Sequence, residues 1–203
     1  MTDAAAVRRG YAKGRAKREE LIEAATRLFG EVGYHSASLR EISARVGISH
    51  PGLLHHFPTK EALLEAVLEH RDEVDMATFE ADLAAGGDYF ASLVRLVRRN
   101  AERPGIVELY CILSAEATAP DHPAHAYFQR RYRTVLDRSQ AELEQRAAEG
   151  RLRADVDPEH TARALVALMD GLQVQFLLER DAGGPVVDMA EALQTYVSLV
   201  LAP

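Results

Sequence analysis

The sequence has a single cysteine and no tryptophan, and no apolar run approaches the roughly 18 residues of a membrane-spanning helix. Cys111 alone makes no intrachain disulfide, and with no C-x-x-C pair a cysteine-built zinc site is excluded as well. There is no glycine-rich phosphate loop, no G-x-S-x-G and no H-E-x-x-H, so the common signatures of nucleotide, serine-hydrolase and zinc-protease chemistry are missing. His122 and His125 stand beside Asp121 in APDHPAH, but prolines break the segment and no third ligand lies nearby. Helix capping by Asp121, or plain solvation of the histidines, is the expectation there. No catalytic residue, metal or cofactor is assigned, and an enzyme is the disfavoured class. The opening stretch MTDAAAVRRGYAKGRAKRE lacks a hydrophobic signal segment, so the expected compartment is cytoplasmic, with no membrane partner.

Positive charge is also scarce overall, with a net charge of −7 over 203 residues. Divided by position, the balance changes character. Residues 1–60 hold ten Lys+Arg against six Asp+Glu, and residues 61–203 hold fourteen against twenty-five. Charge attraction acts locally and is screened within about 10 Å at 0.1 M salt, so a basic head on an acidic body is compatible with a polyanionic partner at one end.

What is abundant is helical periodicity; 47% of residues are apolar, enough for a sizeable core. Leu21, Ile22, Ala25, Leu28, Phe29 and Val32 recur at three-and-four spacing, and Gly33 is the expected stop. Ser38 with Glu41 three places on reads as a capping box opening a short helix at Leu39, which Gly47 ends. Ser49 caps the next, with Pro51 tolerated in its first turn. Pro58 ends that helix and Thr59 caps a long one from Lys60 to the Ala85-Gly86-Gly87 break. Further helices are expected from Asp88 to about Glu102, from Pro104, from about Ala124 to Glu149, from Pro158, and over Val187 to Leu201. No stretch alternates with the period of two that strands show. The expectation is an all-α chain of about nine helices. Its parts are a flexible basic arm over 1–14, a helix-turn-helix domain over 15–59, a connector helix over 60–84 and a body over 85–203.

The two short helices meeting at Gly47 form a helix-turn-helix, a unit that lays its second helix in a DNA groove. Leu53 and Phe57 face the core with Ile48, which leaves His50, Pro51, Gly52, His55 and Leu54 for the outer surface.

Within this frame GYHSASLREISARVGISHPGLLHHFPTKEALLEAVL resembles the DNA-binding domain of the TetR family of bacterial transcriptional regulators. The Gly-aromatic pair, the caps, the Gly-Val-Ser-like turn, Phe57 and Lys60 all fall in register. The resemblance implies a palindromic double-stranded DNA operator as partner. It places Arg40 at a base edge and His50, Pro51 and Gly52 at base-facing positions. Ser38, His55, His56 and Lys60 take phosphate-contacting ones, with Ser49 capping the reading helix. Leu54 stands where the family usually has tyrosine, so it either touches a thymine methyl or packs inward.

One such head reads few base pairs, so pairing is expected. Residues 162–178 and 187–201 are apolar on more than one face and suit a homodimeric four-helix bundle. Between connector and bundle an effector cavity is expected, for an unknown small and largely apolar molecule. Its proposed lining is Phe90, Leu93, Leu109, Tyr110, Leu113, Phe128, Tyr132, Met169 and Phe176, with Glu108, Ser114, Glu116, Asp170 or Gln173 as polar anchors. The same aromatic stripe also reads as ordinary core. The expected function is a ligand-released repressor; the alternative is a DNA-binding regulator with no small-molecule control, answering to a protein partner or bending DNA.

Overall fold

A computed structural model describes residues 3–202, with side chains from Gly14 onward. Among the described residues the chain forms nine helices and no strand, the all-α architecture expected. They are α1 (Asp3–Ser36), α2 (Leu39–Val46), α3 (His50–His56), α4 (Lys60–Ala84), α5 (Tyr89–Ala101), α6 (Pro104–Glu116), α7 (His125–Ala148), α8 (Pro158–Glu179) and α9 (Met189–Val200). The stretch expected as an arm over 1–14 is helical backbone from Asp3, while its side chains before Gly14 lie outside the described residues.

Short polar side chains set the starts. Ser49 accepts from the Gly52 N–H, Thr59 from Ala62, Asp88 from Ala91 and Asp157 from His160, each satisfying a first-turn donor without an intrahelical partner. The stops at Gly47 (φ 71°) and Gly33 (φ 77°, ψ 168°) use backbone space that other residues rarely enter. At Gly33 the helical path breaks inside α1, and the chain continues through Tyr34 to Ser36.

Two local expectations are corrected. Ser38 Oγ accepts from Arg40 N at 3.2 Å rather than from Glu41, and the Glu41 carboxylate pairs with Arg45 at 2.9 Å, so the reciprocal capping box does not form. Arg45 also reaches Glu31 on α1 at 2.9 Å, and this cross-helix attraction gives Glu41 a competing partner. Val32, expected on the apolar face, is 45% exposed, because α1 breaks one residue later and its last turn has no helix to cover that side.

The head's hydrophobic core is not closed on itself. Leu21, Leu28, Phe29, Ile42, Leu53 and Leu63 pack in one cluster with Leu109, Tyr110 and Leu113 of α6 and Phe128 of α7. The α1–α6 approach is close: a Cβ on Gly30 would stand 3.2 Å from Gly105 O and 3.2 Å from Leu109 N. A second cluster, built on Phe79, Phe90, Leu143, Leu165, Leu172 and Leu193, holds the rest of the body. α4 runs through both, from Leu63 in the first to Phe79 in the second.

Candidate functional site: a nucleic-acid interface and an internal cavity

α2 and α3 meet at Gly47, and buried Ile42, Leu53 and Phe57 fix their angle. Arg18 lies over the Phe57 ring at 5.0 Å, tying α1 to the end of α3. The outer face then carries Ser38, Arg40, Ser49, Pro51 and His55, all exposed, with His50, Gly52, Leu54 and His56 half-buried beside them. Leu54 packs against the head core, favouring the inward of its two expected placements. Gly52 has a local reason to be glycine: a Cβ there would crowd the capping Ser49 Oγ at 3.2 Å.

Lys60 differs from the free phosphate clamp that sequence suggests. Its Nζ donates to His35 O at 3.2 Å and lies 4.4 Å from the Tyr34 ring centroid. Burial lowers its pKa, with Glu61 and Glu116 pulling the other way. A phosphate contact would therefore add to an ammonium already anchored on the end of α1.

That corner joins head to body. The Tyr34 N–H donates to Glu116 Oε2 at 2.9 Å, and the Tyr34 hydroxyl donates to Glu61 Oε1 at 3.0 Å. His122 packs edge-on against Tyr34 and His35, with ring centroids 5.2 and 5.3 Å away. It is only 4% exposed, so the expectation of a solvated histidine is corrected. Nor does Asp121 cap α7: Ala124 is the N-cap, without a side-chain bond, and its own N–H donates to His122 Nδ1 at 3.1 Å. Tyr34 and His35 at the end of α1 pack on the ring, and its Nε2 lies 3.6 Å from Glu116 Oε2 on α6. No group of three metal-ligating side chains occurs among the described residues.

Behind the head, α4 to α9 line a partly open cavity of about 90 Å³. Of the residues expected to line it, Tyr110, Phe128, Tyr132, Met169 and Gln173 do, as does the polar anchor Asp170. The others lie elsewhere. Leu109 and Leu113 belong to the core shared with the head, because α6 turns that face to α1. Phe90, Leu93 and Phe176 pack in the second core, and Ser114 Oγ donates to Cys111 O within its own helix. Glu108 is paired with Arg180, and Glu116 holds the Tyr34 corner.

Sequence reasoning did not pick out Arg71, Asn100 and Arg131 in the lining. Arg71, 7% exposed, lies with its guanidinium carbon 3.5 Å from the Tyr110 ring centroid, and its Nε is 2.9 Å from Asp75 Oδ2. Arg131 bonds to Asp72, which also accepts from the hydroxyls of Tyr110 (3.2 Å) and Tyr127 (2.5 Å). Tyr132 donates to Asp170 at 2.8 Å, and burial raises the Asp170 pKa against the pull of Tyr132 and Arg131. The available signal was local: Arg131 follows Tyr127 by four and Phe128 by three, which puts it on the aromatic face of α7.

A groove-reading helix pair on a larger helical body defines a DNA-binding transcriptional regulator. The family model described as bacterial regulatory proteins, tetR family, matches residues 21–67, and that described as BetI-type transcriptional repressor, C-terminal, matches residues 91–202. The chain belongs to the TetR family of bacterial regulators. It is similar to the HTH-type transcriptional regulator UidR of Escherichia coli K12, 27% identical over 157 residues that cover 76% of this chain and 79% of that one. The HTH-type transcriptional repressor KstR2 of Rhodococcus jostii is 28% identical over 193 residues, 91% of this chain and 89% of its own. Among solved structures, a transcriptional regulator from Saccharomonospora viridis in complex with choline superposes with TM-score 0.72 at 25% identity, covering 92% of this chain and 98% of that one. Such relatives are regulators, not enzymes, and no helix among the described residues is long and apolar enough to cross a membrane.

Proposed function

We propose that the protein is a homodimeric repressor that grips a two-fold operator with a pair of heads and lets go when a small molecule fills the cavity. One observation carries this reading: α4 brings Lys60 to the head and Arg71 to the cavity wall on a single helix. Eleven residues separate them, about 16 Å along the axis at helical rise. Movement of the wall is movement of the head.

Pairing is supported by Val174 and Leu178 on α8 and Leu199 on α9, which are exposed in the single chain at 48%, 74% and 61%. Covering such side chains with a second copy removes apolar surface from water at about 25 cal/mol per Å². The Saccharomonospora viridis relative is in complex with choline, which supports reading the cavity of this chain as a small-molecule site. Release needs little: a ligand that binds the DNA-free conformation better by about 1.4 kcal/mol lowers operator affinity tenfold.

The test is an anisotropy titration of operator DNA, repeated with compounds first found by their effect on Tm. Stabilising compounds that also weaken the operator complex uphold the proposal. If every compound that raises Tm leaves operator affinity unchanged, the protein is a regulator without small-molecule control.

A further inference from the structure

Resting on the reading of this cavity as the effector site, the charge of its wall narrows the ligand class. Two guanidinium groups line it, Arg71 from α4 and Arg131 from α7. Their carboxylate partners Asp72 and Asp75, both on α4, are outside the lining. The one carboxyl in the lining, Asp170, already accepts from the Tyr132 hydroxyl at 2.8 Å.

A cationic ligand fits this wall poorly. An aromatic cage for an ammonium needs open ring faces. Tyr110 has Arg71 at 3.5 Å and Arg131 at 4.8 Å from its centroid, so an ammonium there meets like charge. Phe128 and Tyr132 have centroids 6.4 Å apart at 38°, tilted rather than walled around a common point. A carboxylate fits well, because a guanidinium presents paired N–H donors to its two oxygens. Apart from Asn100 and Gln173, the remaining lining, including Val135, Val166, Met169 and Leu172, is apolar.

We infer that the cavity takes an amphipathic organic carboxylate, its head held by Arg71 and Arg131 and its hydrocarbon body against the α7–α8 wall. The head group competes with Asp72 for Arg131, and that competition loosens the tie between α7 and the connector helix.

Three probes share one ten-carbon chain and differ in the head: decanoate, decanol and decyltrimethylammonium. Calorimetric titration of the full chain at pH 7.5 is expected to give decanoate an affinity at least tenfold above the other two, since charge-assisted bonds outweigh neutral ones. Arg131→Gln lowers decanoate affinity about tenfold relative to its effect on decanol. Asp72→Asn, which frees Arg131, tightens decanoate severalfold and keeps the proposal testable if the arginine variant does not fold. Equal binding of the three heads, preference for the ammonium, no decanoate binding, or an unchanged decanoate affinity in both variants overturns the assignment. Operator affinity is read separately in the same samples. Arginine-dependent decanoate binding that leaves the operator complex intact sinks the effector reading and keeps the anion site.

Discussion

The backbone N–H of Tyr34 donates to the Glu116 carboxylate at 2.9 Å, a bond between the end of α1 and the end of α6. It exists because Gly33 turns the chain with φ 77° and ψ 168°, a region open to glycine almost alone. A Cβ on Gly33 would fall 2.4 Å from Glu116 Oε1. Gly33→Ala is therefore expected to cost stability by both routes, about 1–3 kcal/mol from the backbone plus the displaced carboxylate bond. Gly86→Ala is the control, since Gly86 has φ 83° but nothing within 4 Å of its Cβ. Thermal unfolding should show the larger loss at Gly33; equal losses would mean that the Glu116 contact contributes nothing.

The same corner should respond to pH. Burial lowers the His122 pKa, opposed by Glu116 on α6 and Asp121 in the loop, while His35 at the end of α1 adds to the lowering. Tyr34 also packs on the ring, and its own pKa is raised by burial and by Glu61. The folded state thus binds a proton at His122 less readily than the unfolded chain. This contribution to stability is present above the unfolded value of about 6.5 and is lost as pH falls below it toward the depressed folded value. His122→Asn keeps an acceptor near the Ala124 N–H without titrating near neutrality. The fall in Tm between pH 7.5 and 5.5 should be smaller in the variant than in the wild type, and identical falls would remove His122 as the cause.

On the DNA face, Arg40 and Lys60 should separate. Arg40 is exposed, and its side chain has no partner among the described residues. Arg40→Ala is expected to cost about 1–3 kcal/mol on the preferred operator and to relax preference at one base. Lys60→Ala should weaken all sequences alike, flatten the salt slope by about one, and lower Tm slightly through loss of the Tyr34 contact. Equal losses on cognate and random duplexes from Arg40→Ala would reassign that side chain to phosphate.

Leu178 is the most exposed large apolar residue of α8. Leu178→Asp should leave the monomer's secondary structure intact, since surface changes usually fall within about 0.5 kcal/mol. It should convert the proposed dimer to monomer in sedimentation and lower operator affinity by more than tenfold. A variant that remains dimeric would move the pairing surface elsewhere.

Much of the fold was legible because it is written in short-range chemistry. Ser49, Thr59, Asp88, Pro104 and Pro158 mark helix starts by rules acting over three residues, and each start is where they put it. What misled was decided by distant partners. Glu41 would close a capping box in an isolated helix, but Arg45, shared with Glu31, takes the carboxylate. Leu109 and Leu113 carry the periodicity of a cavity wall, yet α1 crosses α6 on that face and claims them for the head. Arg71 and Arg131 look like solvated charges in long helices until α4 and α7 close on Tyr110 between them. The two helices expected to carry the DNA face were legible because caps, glycines and core positions there follow one another within twenty-odd residues.

The central claim, a paired grip on double-stranded DNA, is tested most directly by selecting binders from a pool of random duplexes with the full chain. The account predicts enrichment of an inverted repeat whose half-sites lie about 34–36 Å apart or a multiple of it, bound by an even number of chains. Recovery of unenriched sequence, or of a single half-site bound by one chain, would contradict it.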